Sequence, residues 1–260
     1  MGGKLILFDI PDKNGRAWSF NVWKTLNYKG IDYETEWLEY PDIKARLEAA
    51  GIEPWLEQRA SHTCPAVQFP DGTYVMNSAK IIKNLEERYP EKPLHPDSEE
   101  AQASSQLTSR LWGPLQPVMM PEVYRTILGE RSQPFFWDTR KDDLGGMTVY
   151  EFGERSQPFF WDTRKDDLGG MTVYEFEDKY GGERAWERTK QAIEDASTQL
   201  NKTEGPFFLG DQVSYADFIY VGLLETMKKY TPQHYQRVVE QAPALQKLYE
   251  ACAPWLERDN

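Results

Sequence analysis

A serine near the start of the chain occupies a position where a hydroxyl could do chemistry. Ser19 follows a predicted strand and opens a predicted helix, and Asn21 stands two residues later. Lowering a thiol pKa by two units from about 8.5 requires about 2.7 kcal/mol, and a hydrogen bond to a charged group supplies roughly 1.5–3 kcal/mol. Ser19 at a helix N-terminus can therefore stabilise a bound thiolate without a histidine or a metal, with Asn21 as a second possible donor. The alternative is that Ser19 only caps the helix.

A proline at the start of a later strand indicates a second binding element. Cys64-Pro65 follows a long loop and precedes an apolar strand, a hairpin and a helix. About 5–6% of X-Pro bonds in folded proteins are cis, but this position favours a cis peptide that turns the backbone N–H and C=O of Cys64 towards an extended peptide ligand. Pro65 is also compatible with a purely structural role, because the first residue of a strand need not donate to the ladder. We interpret the Cys64 side chain as a small apolar residue rather than a nucleophile.

A third element lies where the hairpin passes into the next helix. Asn77 and Ser78 occupy this junction, and both residue types favour the N-cap position. A helix N-terminus presents free N–H groups and a partial positive charge, so a ligand carboxylate can bind there. The anion-binding interpretation includes the capping one.

The elements that must position these residues alternate over the first ninety residues in the order β-α-β-α-β-β-α. An Asp-Gly pair between two short apolar runs predicts a hairpin turn, and Gly30 predicts a helix end. The predicted strands span residues 4–10, 31–37, 65–69 and 73–76, and the predicted helices span 19–29, 42–48 and 78–89.

The remainder of the chain reads as helical, after a proline-rich linker. Helices are predicted over residues 183–200, from residue 214, and over 242–256, and Leu107 and Leu111 share a helical face. Prolines are expected to kink or interrupt the helix that contains those leucines. These prolines are Pro114, Pro117 and Pro121. The fold class is therefore an α/β unit followed by an all-α unit.

The clearest local motif in the helical half is structural. Ser214 and Asp217 stand three residues apart, as in a capping box, and Val213 and Phe218 occupy the positions of a hydrophobic staple. We expect this motif to support folding rather than chemistry.

An aromatic and methionine-rich stretch contains the candidates for a second ligand site. Trp112 lies before, Met119 among and Tyr124 after the three prolines of this stretch. Residues of these types more often belong to a core, but an irregular backbone would allow some of them to line a pocket facing the first domain.

A perfect tandem duplication interrupts the helical half. Residues 129–152 and 153–176 are identical in sequence, and two copies are too few for a solenoid. Because a core has one place for a Phe-Phe-Trp cluster, we expect one copy to be displaced onto the surface.

Composition excludes several classes of protein. The net charge is −12 and no basic stripe is present, which disfavours nucleic-acid and anionic-membrane partners. Two cysteines and three histidines in 260 residues, without metal-ligand spacing, predict no metal site. No segment approaches the roughly 20 apolar residues of a membrane span or has the pattern of a signal peptide. We expect a cytoplasmic protein.

These features together resemble the cytosolic glutathione transferases, and more narrowly a fungal etherase-like class related to the bacterial glutathione-dependent β-etherases. The likeness covers nearly the whole chain and includes the strand and helix order, the proline linker and the capping box. The segments that carry the narrower likeness are LFDIP at 7–11, AWS at 17–19, WKT at 23–25, LNYKG at 26–30 and EYPDI at 39–43.

The resemblance implies roles for the motif residues. Ser19 matches the catalytic serine, Pro65 the cis-proline, and Cys64 the backbone partner of the cysteinyl part of glutathione. Ser78, with Asn77 beside it, would bind the γ-glutamyl end. The implied layout is an N-terminal thioredoxin-like domain over residues 1–90, a linker over 91–98, and an all-α glutathione-transferase C-terminal domain over 99–260.

The implied activity is a transferase that directs the glutathione thiolate at a hydrophobic aromatic electrophile, with cleavage of aryl ethers as one form of it. Glutathione is then a co-substrate, no metal is needed, and a homodimer is expected. The alternative is a non-catalytic protein that binds glutathione or aromatic ligands. A thiol-disulfide reductase of the same fold would need a nucleophilic cysteine in the Ser19 loop, and the sequence has none there.

Overall fold

The computed structural model describes residues 3–55, 61–133 and 181–259, with the side chains of 116, 117, 120–126 left out. Its first half has the predicted order of elements. The strands are β1 (Leu5–Asp9), β2 (Tyr33–Trp37), β3 (Ala66–Gln68) and β4 (Tyr74–Met76), and the helices are α1 (Val22–Lys29), α2 (Tyr40–Ala49) and α3 (Ser78–Arg88).

The four strands form one mixed sheet in the order β2-β1-β3-β4. β1 runs parallel to β2, while β3 is antiparallel to both of its neighbours. Leu7 of β1 faces Val67 of β3, and both are fully buried. The β-α-β connection between the first two strands and the hairpin between the last two are the arrangements that the sequence pattern predicts.

Helix α1 begins later than the sequence predicts. Its N-cap is Asn21, and the helix proper starts at Val22. Ser19 therefore lies in the loop before the helix and does not cap it. The helix ends as expected at Gly30, which has a φ of 70° and so occupies the left-handed region that glycine adopts without strain.

The second half is helical, as predicted. Its described helices are α4 (Glu99–Thr126), α5 (Gly182–Leu200), α6 (Tyr215–Tyr230), α7 (Pro232–Gln241) and α8 (Pro243–Cys252), followed by a 3-10 turn, Ala253–Trp255. α4 and α6 pack against each other, and α4 also packs against α5. None of the helices in the described ranges has the length and apolar character needed to cross a membrane.

The prolines of α4 do not interrupt it, which corrects the sequence expectation. The helix runs through Pro114, Pro117 and Pro121, although a proline inside a helix costs about 3 kcal/mol or more. Leu107, Leu111 and other apolar side chains of α4 are buried in the core shared with α5 and α6. Tertiary burial of this face thus outweighs the loss of helical hydrogen bonds.

The last predicted helix is shorter than expected. Of residues 242–256, only α8 is α-helical, and the chain continues from Ala253 as a 3-10 turn because Pro254 has no backbone N–H to donate. Helix α7, which begins at Pro232, was not predicted.

Most of the duplicated segment lies outside the described residues, and with it the expectation that one copy is displaced. Residues 129–133, which open the first copy, are described and contact the region around α2. The Ser132 hydroxyl donates to Glu39 at 2.9 Å and accepts from the Tyr40 N–H at 3.1 Å, while Arg131 pairs with Asp42 at 2.8 Å.

The capping box is present at the start of α6. The Asp217 carboxylate accepts hydrogen bonds from the Ser214 N–H at 2.6 Å, the Ser214 hydroxyl at 2.9 Å and the Phe208 N–H at 2.8 Å. Asp217 and Ser214 are fully buried. The motif therefore also ties the loop that contains Phe208 to the helix.

Substituting Ser214 and substituting Asp217 should lower the free energy of unfolding by different amounts. We expect Ser214→Ala to cost about 1 kcal/mol. Asp217→Ala should cost more, at least about 2 kcal/mol, because it leaves two buried N–H groups without acceptors. Urea unfolding of both variants measures the difference, and an equal loss in the two would contradict the central role assigned to Asp217.

Candidate functional site

The sheet register brings two of the candidate motifs, Cys64-Pro65 and Asn77-Ser78, to the end of the sheet where β1 finishes. Ala66 pairs with Phe8 on one side and with Met76 on the other. The last residue of β1, the residue before β3 and the residue after β4 are therefore neighbours. These positions hold Asp9, Pro65 and Asn77.

The Cys64–Pro65 peptide bond is cis, as the sequence predicts. The bond immediately precedes β3, so the backbone of Cys64 lies at the open end of the sheet. Burial raises the pKa of the Cys64 thiol well above its ordinary value, and the nearby Asp9 carboxylate raises it further. The side chain thus has the character of an apolar residue and not of a nucleophile.

The loop that carries Ser19 is held by a single buried carboxylate. Asp9 is fully buried, and its Oδ1 accepts hydrogen bonds from the Ile10 N–H at 2.7 Å and the Ser19 N–H at 3.1 Å. The Ser19 hydroxyl donates to the other oxygen, Oδ2, in a short hydrogen bond. Burial raises the pKa of Asp9 from 3.8 to about 6, and these three hydrogen bonds oppose the rise. Sequence reasoning had not identified Asp9 as a site residue.

Side chains at the start of α1 hold the same loop from the other side. Each of three of them donates to the backbone carbonyl four residues earlier. These pairs are Trp23 Nε1 to Ser19 at 2.7 Å, Lys24 Nζ to Phe20 at 2.6 Å, and Thr25 Oγ1 to Asn21 at 3.2 Å. The loop before the helix is therefore fixed by α1 as well as by Asp9.

A buried lysine lies behind this loop. Lys24 is 1% exposed, and its ammonium stands 3.7 Å from the centre of the Trp23 ring. Burial lowers the pKa of Lys24 to about 7, while the nearby carboxylates of Glu225 and Asp9 raise it. A positive charge at this place connects the first domain electrostatically to α6.

A tyrosine of the second domain joins two of the predicted site residues. The Tyr215 hydroxyl accepts a hydrogen bond from Asn21 Nδ2 at 2.9 Å, and the Ser78 side chain is near enough to act on the pKa of Tyr215. Asn77 caps α3 by accepting from the Lys80 N–H at 3.1 Å. Asn21 and Ser78 thus lie on either side of the Tyr215 hydroxyl, and the Asn21 amide is already engaged by it. Asn21 and Tyr215 are 194 positions apart in the sequence, and no local pattern predicts this contact.

The three candidates for the second ligand site have different environments in the structure. Trp112 is half-buried and its ring lies 6.3 Å from that of Phe20, next to Ser19. Phe20 in turn contacts Trp18 at 5.5 Å between ring centres. Met119 is fully buried in the core, which favours the core interpretation for it, and the side chain of Tyr124 lies outside the described residues.

A cavity of about 460 Å³ adjoins the other side of Asn77. It is formed by the loop after α2 and by β4, and its lining includes Trp55, Asn77 and Lys80. Ser19 and Cys64 do not line it, so it is an extension of the site along the sheet edge and not its centre. Among the residues that the structure describes, no group of three His, Cys, Asp or Glu side chains could hold a metal ion.

Comparison with protein families assigns both halves of the chain. Residues 16–88 match the glutathione S-transferase N-terminal domain, and residues 144–255 match the glutathione S-transferase C-terminal domain. The chain is 26% identical over 270 residues to the glutathione S-transferase-like protein ustS of Aspergillus flavus, with 96% of this chain and 89% of that protein covered.

Two solved structures share this architecture. A glutathione S-transferase of Ceriporiopsis subvermispora in complex with glutathione is 27% identical, with a TM-score of 0.73 over 97% of this chain and 98% of that one. The glutathione transferase GSTFuA3 of Phanerochaete chrysosporium is 26% identical, with a TM-score of 0.77 and full coverage, 100%, of both chains. The predicted layout, a thioredoxin-like domain followed by an all-α domain, is confirmed.

The Tyr215 hydroxyl should contribute to the stability of the domain interface. Tyr215→Phe removes the acceptor of the Asn21 amide, which should cost about 1 kcal/mol in urea unfolding. Tyr220→Phe is the matched control, because the Tyr220 hydroxyl is buried on the same helix and has no hydrogen-bond partner in the described ranges. Equal effects of the two substitutions would contradict the assignment.

Asp9 should make stability depend on pH in a defined direction. Its pKa is raised in the folded protein, so the unfolded chain loses this proton first as pH rises. As the pH rises from about 4 to 6, the free energy of unfolding of the unsubstituted protein should therefore fall relative to that of Asp9→Asn. The total fall should be about 3 kcal/mol. Urea unfolding of both proteins across this range measures the difference, and a difference that does not change with pH would refute the prediction.

Proposed function

The chain is built from the N- and C-terminal domains of the glutathione S-transferases, and we propose that it binds glutathione and directs its thiolate at a hydrophobic aromatic electrophile. The observation that carries the proposal is the meeting of four features at one end of the sheet. These are the Ser19 hydroxyl, the cis Cys64–Pro65 bond and the capped start of α3, with an aromatic surface from the second domain beside them.

The backbone frame supports the binding of a peptide-like ligand. The cis bond leaves the N–H and C=O of Cys64 at the end of the sheet, where they can pair with the cysteinyl part of glutathione. Ser78 is the first residue of α3, and the free N–H groups of this helix start can bind the γ-glutamyl carboxylate. Lys80, in the adjoining cavity, adds a positive charge near the same end.

Ser19 is the residue proposed to stabilise the thiolate. It is half-buried in the loop between β1 and α1, on the same carboxylate that lies next to Cys64. A hydrogen bond from its hydroxyl to a thiolate supplies roughly 1.5–3 kcal/mol, enough to lower the thiol pKa by about one to two units. Asn21 is a weaker candidate for this role, because its amide is already bonded to Tyr215.

The electrophile is proposed to bind against the aromatic surface beside Ser19. The ring of Phe20 contacts those of Trp18 and Trp112. The ring centres of Trp18 and Tyr230 are 6.1 Å apart. All four rings are half-buried, so part of each remains available to a ligand. Attack of the thiolate on a benzylic or aryl-ether carbon and departure of an aryloxide would give the etherase-like form of the reaction.

One observation favours a second function, a protein that binds glutathione or aromatic ligands without catalysis. The Ser19 hydroxyl already donates to Asp9, and a hydroxyl has one proton to donate. If this bond persists when glutathione binds, the thiol receives no donor and remains protonated near neutral pH.

The layout proposed for the chain is the one expected from the sequence. The glutathione-binding domain extends over residues 1–90, the linker over 91–98 and the helical domain over 99–260. We propose a homodimer as the functional unit, as the family resemblance implies.

Titration of bound glutathione distinguishes the two functions. Thiolate absorbance of the complex should show a thiol pKa at least one unit below that of free glutathione, and Ser19→Ala should raise it by about one to two units. Calorimetry should give similar glutathione affinities for both proteins, because the backbone frame is unchanged.

Ser109→Ala is the control, since Ser109 lies on α4 and its hydroxyl donates to the Ser105 carbonyl. The same thiol pKa in Ser19→Ala and in the unsubstituted protein would overturn the catalytic role and support the binding function. Absence of glutathione binding in the unsubstituted protein would overturn both.

A further inference from the structure

The hydrogen bonds at Ser19 leave its hydroxyl with two competing acceptors. The single hydroxyl proton points to Asp9 Oδ2, and the proposed thiolate needs the same proton. Breaking the bond to Asp9 would leave a buried carboxylate oxygen without that donor, which is costly. The hydroxyl can serve the thiolate at no such cost only if Asp9 acquires a proton and donates it to Ser19 Oγ.

Among the described residues that hydrogen-bond to Asp9, the Ser19 hydroxyl is the group that can exchange a proton with it. It is fully buried, whereas Ser19 is partly exposed. Its remaining hydrogen bonds come from the backbone N–H groups of Ile10 and Ser19, which cannot give up their protons. Ser19 therefore stands between Asp9 and any ligand at the open end of the sheet.

We propose that Asp9 accepts the thiol proton of bound glutathione through Ser19, so that the thiolate forms inside the complex without releasing a proton to solvent. This inference rests on the proposed binding of glutathione beside Ser19. Asp9 does not touch the ligand, and it is a positioning residue that acts through Ser19.

The transfer balances in two linked proton movements. The glutathione S–H proton moves to Ser19 Oγ as the hydroxyl proton of Ser19 moves to Asp9 Oδ2. The products are a thiolate that accepts a hydrogen bond from Ser19, and a neutral Asp9 that donates to Ser19 Oγ. No bond between heavy atoms changes, and the total charge of the site stays the same.

The surroundings of Asp9 suit it to this exchange. Burial favours its neutral form and raises its pKa to about 6, while free glutathione has a thiol pKa near 8.5. The charged and titratable groups that face it are Lys24, Cys64 and Tyr33. Lys24 favours the carboxylate, and its own pKa of about 7 makes it the one neighbour here that could exchange a proton near neutrality.

Counting protons tests the proposal directly. Glutathione binding is followed near pH 7, where Asp9 is ionised in the free protein and free glutathione is largely a thiol. Thiolate absorbance gives the thiolate formed, and calorimetry in buffers of different ionisation enthalpy gives the protons released. The unsubstituted protein should release far less than one proton per thiolate, whereas Asp9→Asn should release about one, because an amide donates to Ser19 but accepts no proton.

Two controls isolate Asp9. Asp12→Asn alters a second buried aspartate of the same loop, which bonds Asn14, Arg16 and Tyr230 but not Ser19, and it should keep the low proton release. Lys24→Met removes the lysine and with it a charge that favours the Asp9 carboxylate; measured at a pH above the Asp9 pKa of this variant, where Asp9 is ionised, it should keep the low release as well. Full proton release in Lys24→Met would assign the proton to Lys24 and overturn the proposal.

The remaining outcomes separate this inference from the proposed function. One proton released per thiolate in the unsubstituted protein would overturn the transfer to Asp9 and leave the transferase function intact. Glutathione binding without any thiolate near pH 7 would overturn both the catalytic role of Ser19 and the transfer. In Ser19→Ala, the further substitution Asp9→Asn should leave proton release unchanged, and a change there would show that Asp9 acts without Ser19.

Discussion

The buried carboxylate of Asp9 is the group on which the arrangement of the site depends. It is the last residue of strand β1, and it accepts hydrogen bonds from the Ile10 N–H and from both the N–H and the hydroxyl of Ser19. An ionised carboxylate out of contact with water is unfavourable unless such donors surround it. The loop before α1 therefore has one low-energy course, which holds Ser19 next to the cis Cys64–Pro65 bond.

The second domain closes the same loop from outside. Gly222 of α6 lies so near the chain that a Cβ there would be 2.6 Å from the Phe20 carbonyl oxygen. Tyr215 at the start of α6 reaches Asn21 and Ser78. The C-terminal segment completes the contact, since the Ala17 N–H donates to the Asp259 carbonyl at 2.7 Å. The position of the Ser19 loop is thus a property of both domains and not of the thioredoxin-like domain alone.

In the proposed function, binding and activation of the ligand would depend on different parts of the structure. The frame for binding is made of backbone groups, at the cis Cys64–Pro65 bond and at the start of α3, and is fixed by the sheet register. Activation, as proposed, would depend on the side chains of Ser19 and Asp9, and the protonation of Asp9 responds to burial and to Lys24. A change in packing between α6 and the Ser19 loop would therefore alter the thiolate before it altered affinity for the peptide.

The sequence by itself determined the elements and most of the binding frame. Periodicity, the Asp-Gly turn and Gly30 gave the β-α-β-α-β-β-α order, and the cis Cys64–Pro65 bond, the cap at Asn77 and the capping box at Ser214 were all predicted. Each of these is local, because its partners lie within a few residues along the chain.

Only the tertiary structure decided the rest. It showed that the prolines of α4 lie inside a continuous helix, that Ser19 donates to Asp9, and that Tyr215 joins Asn21 to Ser78. Asp9 reads in the sequence as the polar end of a strand, and its pKa and partners follow from burial. Burial and contacts between residues 10 to 194 positions apart are set by packing, and no local pattern of residue types records them.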